Sequence, residues 1–330
     1  MLLDSPLSVI AASLLAIFVS YYSNLWLIKQ KNSTVLDYPN SRSLHTVPVP
    51  RIGGVGLLFG TMLAWLAFSA TLPVSVWLGL CVLACISFMD DIWKVPVWCR
   101  LCVHTLVALG FCVTIQFDTY GWLFVVIGVL VVIWMSNLFN FMDGSDGLAG
   151  GMVLIGFGYY GLVAYLSGYV NFAVVNFSVA AASLGFLFHN FYPARIFLGD
   201  VGSVPLGYLA AVMGILGWIN DLWSLWLPLL VFSPFIADAS VTLIKRFLRG
   251  EKIWLAHREH YYQRMVQSGF GHRNTALLGY AAMILVGASA VWANFQDEVI
   301  QFVIATIWGL IYLGLMLMAD VGRKLCTDKQ

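Results

Sequence analysis

Long apolar runs follow one another along the whole chain, separated by short polar segments. Eleven of these runs have the roughly 17–25 residues that a helix needs to cross the hydrocarbon core of a bilayer. We predict them at 5–27, 52–70, 74–90, 101–117, 120–138, 152–168, 171–188, 203–219, 222–245, 274–293 and 298–320. Backbone groups in lipid must be satisfied within each segment, so the pattern predicts an all-α integral membrane protein with about 11 transmembrane helices.

The segments between the runs alternate between two kinds. One kind is short and nearly free of charge, and the other is long and carries the cations. All 17 Lys and Arg residues fall in the second kind. The positive-inside rule therefore predicts that the long segments are cytoplasmic, with a periplasmic N-terminus and a cytoplasmic C-terminus. The first run has no basic segment before it and cations after it, so we expect a retained helix and not a cleaved signal peptide.

Composition excludes a soluble globular domain. The chain is 61% hydrophobic and only 10% charged, with a mean hydropathy of +0.87. Its six cysteines lie in or beside the predicted spans or in the C-terminal tail, so we expect thiols and neither disulfides nor a zinc site. A net charge of +1 does not indicate any particular partner.

Acidic residues are scarce, yet two adjacent ones close the third predicted span. Asp90 and Asp91 precede Lys94 at the end of an apolar run. A carboxylate at membrane depth is costly, so it needs a partner or a function. The alternative is a hydrated helix end with Lys94 as the counter-ion.

A second polar group follows the fifth predicted span. Asn137 and Asn140 lie three residues apart on one helix face, and Asp143 and Asp146 follow in a glycine-rich turn without any nearby cation in the sequence. This pattern favours binding of a metal or a ligand. The alternative is a turn in which Asp146 caps the next helix, but a cap needs only one acid.

A third group opens the eighth predicted span. Asp200 precedes Gly202 and Ser203, and a helix N-terminus of this kind can hold phosphate oxygens. A neighbouring acid could hold the divalent ion that bridges those oxygens. The alternative is that Asp200 or Ser203 is an ordinary helix cap.

The most cationic loop contains His257, Arg258, His260 and Arg264. His257, His260 and Arg264 have helical spacing, so we expect them to share a face. Arg can clamp phosphates, and His can donate to them or transfer protons. The alternatives are a solvated loop attracted to anionic lipids and, less in keeping with the pattern, a zinc site.

Arg51 follows a proline-containing stretch that begins at Arg42, and Gly53, Gly54 and Gly56 come directly after it. The prolines exclude a helix before Arg51, and the glycines allow close packing where the second span begins. The alternative is a rigid loop with a small-residue helix contact.

Together these residues place carboxylates, carboxamides, His and Arg at one membrane face. That set suits a hard divalent ion bound with a diphosphate, and the apolar surroundings suit an acceptor dissolved in lipid. An ion-coupled transporter remains an alternative because it too contains intramembrane acids, although these acids lie at span ends and we find no repeat. A structural membrane protein would leave the acidic loops unexplained.

The chain resembles the polyprenyl-phosphate N-acetylhexosamine-1-phosphate transferases. The resemblance covers roughly 37 to 264 and rests on five motifs: Pro-Arg-Ile-Gly-Gly from Pro50, Asp90-Asp91, the Asn140 to Gly150 loop, Phe197-Leu198-Gly199-Asp200 and His257-Arg258-Glu259-His260. The last motif looks most like the subgroup that initiates O-antigen synthesis, and it departs from the triple-His type of the peptidoglycan enzyme.

The resemblance implies one membrane transferase domain over 1–330, with active-site loops near 28–51, 91–100, 139–151, 189–202 and 246–273. It implies transfer of N-acetylhexosamine 1-phosphate (GlcNAc, FucNAc or QuiNAc) from a UDP-sugar to undecaprenyl phosphate, with release of UMP. The reaction would begin O-antigen or a related envelope polysaccharide at the bacterial inner membrane, with the site facing the cytoplasm. A homodimer is left open.

The resemblance also implies roles for individual residues. Asp200 would be the principal ligand of Mg²⁺, for which Mn²⁺ may substitute, with Asn140 beside it and Asp143 in support. Asp90 would orient the acceptor phosphate with help from Asp91. The remaining substrate contacts would be uracil at Asp146 and Phe197, and the diphosphate or sugar at Arg51, Lys94, Asn190, His257, Arg258, His260 and Arg264. Asp238 receives no role beyond a buried polar contact.

Overall fold

The computed structural model describes residues 5–30, 35–37, 48–252, 254–255 and 257–327. Arg42 and the rest of its stretch up to Val47 lie outside these residues. The helices are α1 (Pro6–Lys29), α2 (Gly53–Ala67), α3 (Val74–Trp93), α4 (Val97–Met142), α5 (Leu148–Leu166), α6 (Val170–Asn190), α7 (Asp200–Ile219), α8 (Trp226–Val231), α9 (Ser233–Leu248), α10 (Tyr261–Met265), α11 (Gly271–Asn294) and α12 (Glu298–Thr327). A π-helical turn, Val266–Phe270, joins α10 to α11.

This architecture confirms the prediction of an all-α membrane protein. Within the described ranges, nine helical segments are long and apolar enough to cross a membrane, and each coincides with one of the eleven predicted spans. The two remaining predictions differ from the structure. The span at 52–70 is the 15-residue helix α2, and the span at 222–245 is divided between α8 and α9.

The division of the ninth predicted span has a local cause. α8 ends at Val231, and α9 begins at Ser233 with Pro234 in its first turn. Proline has no N–H, and its ring clashes with the carbonyl four residues earlier, so a helix cannot run through it undisturbed. The Ser233 hydroxyl donates to the Leu230 carbonyl at 2.6 Å, which satisfies one of the carbonyl groups at the end of α8.

α4 contains two predicted spans. Its 46 residues would extend about 69 Å as one straight helix, far beyond the thickness of a bilayer. Gly121 has φ +68°, a left-handed conformation that glycine adopts without steric cost. A Cβ at Gly128 would lie 2.8 Å from Cys112 Sγ, so the segments on either side of Gly121 pack against each other.

Small residues bring the helices around the site close together. A Cβ at Gly54 in α2 would overlap the backbone of Gly202 in α7, and a Cβ at Gly207 would overlap the backbone of Met135 in α4. Close packing through small residues is typical of helices in membranes. In the most apolar stretch of α7, 89% of the residues are buried, whereas none is buried in that of α12, so α7 lies at the centre and α12 at the edge.

A short antiparallel ribbon leads into α2. β1 (Leu36–Asp37) pairs with β2 (Val49–Pro50), and the Arg51 amide donates to the Val35 carbonyl at 3.0 Å. The chain before α7 runs alongside, where Phe197 donates to the Pro50 carbonyl and accepts from the Gly53 amide, both at 2.8 Å. These bonds hold Arg51 next to the start of α7.

Candidate active site

The predicted acidic elements meet where three helices end or begin. Asp90 and Asp91 lie in the last turn of α3, Asn140 lies in the last turn of α4, and Asp200 is the first residue of α7. Contacts at this point join residues as far apart in sequence as 149 positions. We call these four residues, with Arg51 and Arg100, the Asp200 cluster.

Asp200 is the most heavily bonded member of the cluster. Its side chain is only 9% exposed and forms ion pairs with Arg51 and with Arg100, the second at 3.3 Å to Oδ2. Asn140 Nδ2 donates to Asp200 Oδ1 at 2.9 Å and to Ser203 Oγ at 3.1 Å. Two guanidinium groups and an amide therefore compensate one buried carboxylate, whose burial would otherwise be costly.

Asp91 holds the beginning of α7. Its side chain is fully buried, and its carboxylate accepts from the amides of Asp200 and Val201 at 3.2 and 2.9 Å. These are two of the amides that a helix leaves without an internal partner. Arg51 Nε lies 3.4 Å from Asp91 Oδ1. Asp91 therefore helps to position Asp200, because its contacts fix the start of the helix that carries Asp200.

Asp90 is paired with an arginine that the sequence did not single out. Arg100, in the first turn of the following helix, bonds both Asp90 and Asp200. Lys94, the expected counter-ion, ends α3 in a left-handed conformation (φ +53°) and is exposed. The alternative in which Lys94 is the counter-ion of Asp90 does not hold, since Arg100 bonds both carboxylates; the predicted substrate contact of Lys94 stays a prediction.

Arg51 lies within the field of several carboxylates. Burial opposes its charge, but Asp200 and Asp91 outweigh burial and raise the pKa of Arg51 above its usual value. Arg51 is thus a permanent cation at this position, and its side chain remains 39% exposed. Such a group is available to a phosphate that approaches the cluster.

Asp143 lies beside the cluster in the loop after α4. It is half-buried, and the Gly199 amide donates to its carboxylate. Burial raises the pKa of Asp143 well above its usual value, Arg51 opposes this effect, and Asp200 adds to it. Burial therefore favours the protonated form of Asp143.

The other acid of this loop makes a separate set of contacts. Asp146 Oδ2 accepts from the Ala194 amide at 3.0 Å, and its Oδ1 lies 3.6 Å from His272 Nδ1. His272 also bonds the Ser145 hydroxyl at 3.0 Å. The capping position of α5 is occupied by Gly147, and it has no side-chain cap. Asp146 therefore ties its loop to the segment before α7 and does not cap α5.

Asn190 and Phe197 lie on that same segment. Asn190 accepts from the Gly147 amide at 3.0 Å and donates to the Ile196 carbonyl at 2.9 Å. Its side-chain amide therefore connects the loop before α5 to the segment before α7. Phe197 is half-buried, and its backbone is fixed by the bonds to Pro50 and Gly53. The predicted substrate contacts of these two residues stay predictions.

The cationic loop does not form the predicted helix face. α10 begins only at Tyr261. His260 is the residue before its first turn, and the His260 amide donates to Gln263 Oε1 at 3.3 Å. His257 therefore precedes the helix, although its ring centroid lies 4.8 Å from that of His260. Burial and the neighbouring His260 lower the pKa of His257 to about 4, so His257 is neutral at pH 7.

The two arginines of this loop differ in their surroundings. Arg264 donates to Asp320 Oδ1 at 2.7 Å and to the Ala319 carbonyl at 3.0 Å, and it covers the ring of Tyr261 at 4.8 Å. It therefore faces α12, away from the His257–His260 pair. Arg258 is exposed. Of the predicted residues in this loop, the structure brings together only His257 and His260.

The donor set of the cluster suits a hard divalent ion. Across the part of the chain that the structure describes, no group of three His, Cys, Asp or Glu side chains is arranged to hold a metal. Mg²⁺ commonly takes only one or two protein carboxylates and completes its shell with water and substrate phosphates. Asp200, with Asp90, Asp91 and the Asn140 amide beside it, provides oxygen donors of that kind.

Comparison with known proteins agrees with this geometry. The model of glycosyl transferase family 4 matches residues 73–218, which contain α3 to α7 and all of the cluster except Arg51. A probable undecaprenyl-phosphate N-acetylglucosaminyl 1-phosphate transferase of Bacillus subtilis is 28% identical over 86% of this chain and 81% of its own length. An undecaprenyl-phosphate α-N-acetylglucosaminyl 1-phosphate transferase of Escherichia coli is 24% identical over 86% and 83%. A phospho-N-acetylmuramoyl-pentapeptide-transferase of Levilactobacillus brevis is 36% identical over half of each chain.

The fold is that of a polytopic membrane protein, and residues 73–218 match glycosyl transferase family 4. The family match and the named relatives support the polyprenyl-phosphate N-acetylhexosamine-1-phosphate transferase family, the one that the sequence motifs resemble.

Sequence reasoning missed three residues of the site. Arg100 was counted only as a loop cation, His272 was not considered, and Asp238 had no role. Each contacts a predicted site residue: Arg100 bonds Asp90, His272 contacts Asp146, and Asp238 bonds His260. A signal was present only for Arg100, which lies nine residues after Asp91 at the start of an apolar run.

Proposed function

We propose that this protein transfers N-acetylhexosamine 1-phosphate from a UDP-sugar to undecaprenyl phosphate and releases UMP. The observation that carries the proposal is the Asp200 cluster itself. It combines three carboxylates, an amide and two arginines at the ends of membrane helices. Phosphoryl transfer requires charge compensation and alignment more than covalent help, and this set supplies both.

The bond changes are those of a displacement at phosphorus. An oxygen of the acceptor phosphate bonds to the phosphorus that carries the sugar. The bond from that phosphorus to the bridging oxygen breaks, and UMP leaves with the electron pair. Arg51 and Arg100 are placed to exchange a carboxylate partner for a phosphate oxygen as negative charge gathers.

The acceptor and the donor would use different parts of the site. Asp90 lies at the end of a membrane helix, where a phosphate on a lipid can reach it, and we assign it to orient that phosphate with Asp91 supporting the site through α7. On the donor side we assign Asp146 and Phe197 to uracil. Lys94, Asn190, His257, Arg258, His260 and Arg264 complete the proposed contacts to diphosphate and sugar, with His260 also a candidate for proton transfer.

A magnesium ion would be held by Asp200, with Asn140 beside it and Asp143 nearby. The ion would supply charge neutralisation at the transferred phosphoryl group. Arg51 and Asn140 meet the same oxygen of Asp200, so they orient this carboxylate. Mn²⁺ is the expected substitute because it takes the same oxygen ligands.

We propose N-acetylglucosamine as the sugar, since the relatives from Bacillus subtilis and Escherichia coli are named for it. N-acetylfucosamine and N-acetylquinovosamine are the competing donors. The His257-Arg258-Glu259-His260 motif supports a place at the start of O-antigen or a related envelope polysaccharide, with the site facing the cytoplasm.

The test is release of UMP by detergent-purified protein supplied with undecaprenyl phosphate and each of the three UDP-sugars. Activity should require Mg²⁺ or Mn²⁺ and should disappear in EDTA. Asp200→Asn keeps the shape of the side chain but removes its charge, so we expect a loss of at least about 10²-fold in kcat. Full activity in EDTA would contradict the metal assignment, and no UMP from any UDP-sugar would contradict the function.

A further inference from the structure

Asp238 in α9 collects four hydrogen bonds on one buried carboxylate. Asp238 is 6% exposed, and its carboxylate accepts hydrogen bonds from the amides of Tyr261 and Tyr262, both at 2.9 Å. The Thr242 hydroxyl donates to Asp238 Oδ1 at 3.2 Å, and His260 Nδ1 lies 3.2 Å from the same oxygen. A carboxylate that is buried and bonded in this way has a defined orientation.

The ring that Asp238 contacts lies next to the Asp200 cluster. His260 is 2% exposed and stacks on Phe141, with 6.2 Å between centroids. Phe141 directly follows Asn140, which bonds Asp200. The Tyr262 hydroxyl donates to the Phe141 carbonyl at 3.0 Å. The start of α10 is thereby docked on the end of α4, and His260 is carried with it.

The chemistry of the contact selects one form of the imidazole. A carboxylate can only accept, so the proton of this bond belongs to His260 Nδ1. Nε2 is then the ring nitrogen left for the substrate. A carboxylate behind a functional histidine fixes both its tautomer and its ring orientation.

We propose that Asp238 is a positioning residue for His260: it sets the imidazole so that Nε2 serves the phosphate or sugar of the donor. This inference rests on the proposed transferase activity. It gives a function to a buried acid that otherwise has none, although Asp238 lies outside the Asp200 cluster.

A double-mutant cycle tests the inference. The variants are Asp238→Asn, His260→Gln and the pair, and the readouts are kcat and KM for the UDP-sugar together with the thermal midpoint. If Asp238 acts through His260, Asp238→Asn lowers kcat by about 10- to 100-fold. The pair should then be no slower than His260→Gln alone, because both changes remove the same unit.

A purely structural role has a different outcome. Asp238 also binds two backbone amides, so its loss could disturb α10 without involving His260. In that case the two changes would multiply in kcat, and the inference would be overturned. Thr242→Val is the matched control, because it removes a hydrogen bond to Asp238 without altering His260, and it should retain most of the kcat.

Two further outcomes are decisive. Should Asp238→Asn fail to fold, Asp238→Glu replaces it, because it retains the charge. We expect Asp238→Glu to keep part of the wild-type kcat only when His260 is present. If Asp238→Glu has the same relative effect on kcat in the His260→Gln background, the inference is rejected. If the wild-type protein releases UMP but the effects of the two substitutions on kcat are independent, only this inference is rejected. Wild-type protein without UMP release removes the proposed function and the inference together.

Discussion

At the scale of the residue, the acids divide into two groups with separate contacts. Asp90, Asp91 and Asp200 are joined through Arg51 and Arg100, whereas Asp146 contacts Ala194 and His272. Among the residues that the structure describes, Asp146 forms no hydrogen bond or ion pair with the first group. This separation supports one site for the transferred phosphoryl group and an adjoining site for the nucleotide.

The two groups should respond differently to loss of charge. Asp90→Asn should lower kcat and leave UMP affinity nearly intact, because Asp90 is assigned to the acceptor. Asp146→Asn should weaken UMP binding by roughly 1.5–3 kcal/mol, or about 10- to 150-fold, the value of a hydrogen bond to a charged group. Calorimetry with UMP and turnover measurements on both variants check this.

Asp221→Asn is the control for these variants. Asp221 is exposed and has φ +55°, a conformation that Asn adopts as readily. It should change neither readout. Loss of UMP binding in Asp90→Asn with normal binding in Asp146→Asn would reverse the two assignments.

Arg100 offers a prediction that the sequence alone does not suggest. Its NH1 group bonds Asp90 and Asp200 together, and a lysine carries a single ammonium point charge on a different geometry. Arg100→Lys should therefore lower kcat by at least about tenfold, a loss of about 1.4 kcal/mol in transition-state stabilisation. Lys252→Gln, which removes an exposed loop cation, should not. Equal kcat for Arg100→Lys and wild type would show that bridging the two acids is dispensable.

Residue types were more predictable than their partners. Asp90, Asp91, Asn140 and Asp200 stand out because polar groups at the ends of apolar runs are costly, and the structure brings them together. Their counter-ions were harder to predict: Arg100 lies near Asp90 but 100 positions from Asp200, and Arg51 lies 149 positions from Asp200. A single sequence does not show which distant Arg side chain pairs with which Asp side chain.

At the scale of the element, length and apolarity sufficed for the long helices but not for their breaks. The run at 222–245 appeared continuous because hydropathy does not register Pro234, although a proline inside a helical pattern commonly ends the helix before it. The face shared by His257, His260 and Arg264 failed for a related reason. Spacing predicts a shared face only inside a helix, and α10 begins after His260.

The contact between α2 and α7 positions Arg51 against Asp200, and it depends on two glycines. A Cβ at Gly54 would overlap the backbone of Gly202, which cannot move away as a flexible side chain could. Gly54→Ala should therefore lower the unfolding free energy by about 1–3 kcal/mol through overpacking, and it should reduce activity as α2 shifts. Thermal unfolding in detergent, read together with UMP release, measures both effects.

Gly110→Ala is the matched control for that substitution. No atom lies within 4 Å of a Cβ at Gly110, and its φ is not positive. Alanine is favoured over glycine in a helix by up to about 1 kcal/mol, so this variant should be as stable as the wild type or slightly more stable. Equal behaviour of Gly54→Ala and Gly110→Ala would mean that the α2–α7 contact tolerates a methyl group.

At the scale of the whole molecule, the sequence predicts an orientation from the distribution of all 17 cations. Two exposed positions flank the last long helices: Lys252 lies between α9 and α10, and Asp297 lies between α11 and α12. α11 alone has 24 residues, about 36 Å of helix, which is enough to separate these two positions by a bilayer. They should therefore lie on opposite sides of the membrane.

Cysteine labelling of intact cells tests this orientation, with single cysteines at Asp297, Thr119 and Lys252 in a background without the six native cysteines. The positive-inside rule predicts that Asp297 and Thr119 react with an impermeant reagent from outside, and that Lys252 reacts only after permeabilisation. Labelling of Asp297 and Lys252 from the same side would contradict a membrane crossing by α11. The reverse pattern, Lys252 outside and Asp297 inside, would keep that crossing but invert the molecule. Inversion would place the cationic loop on the periplasmic face, so the proposed reaction would have to draw its UDP-sugar from that side, and a cytoplasmic site would be excluded.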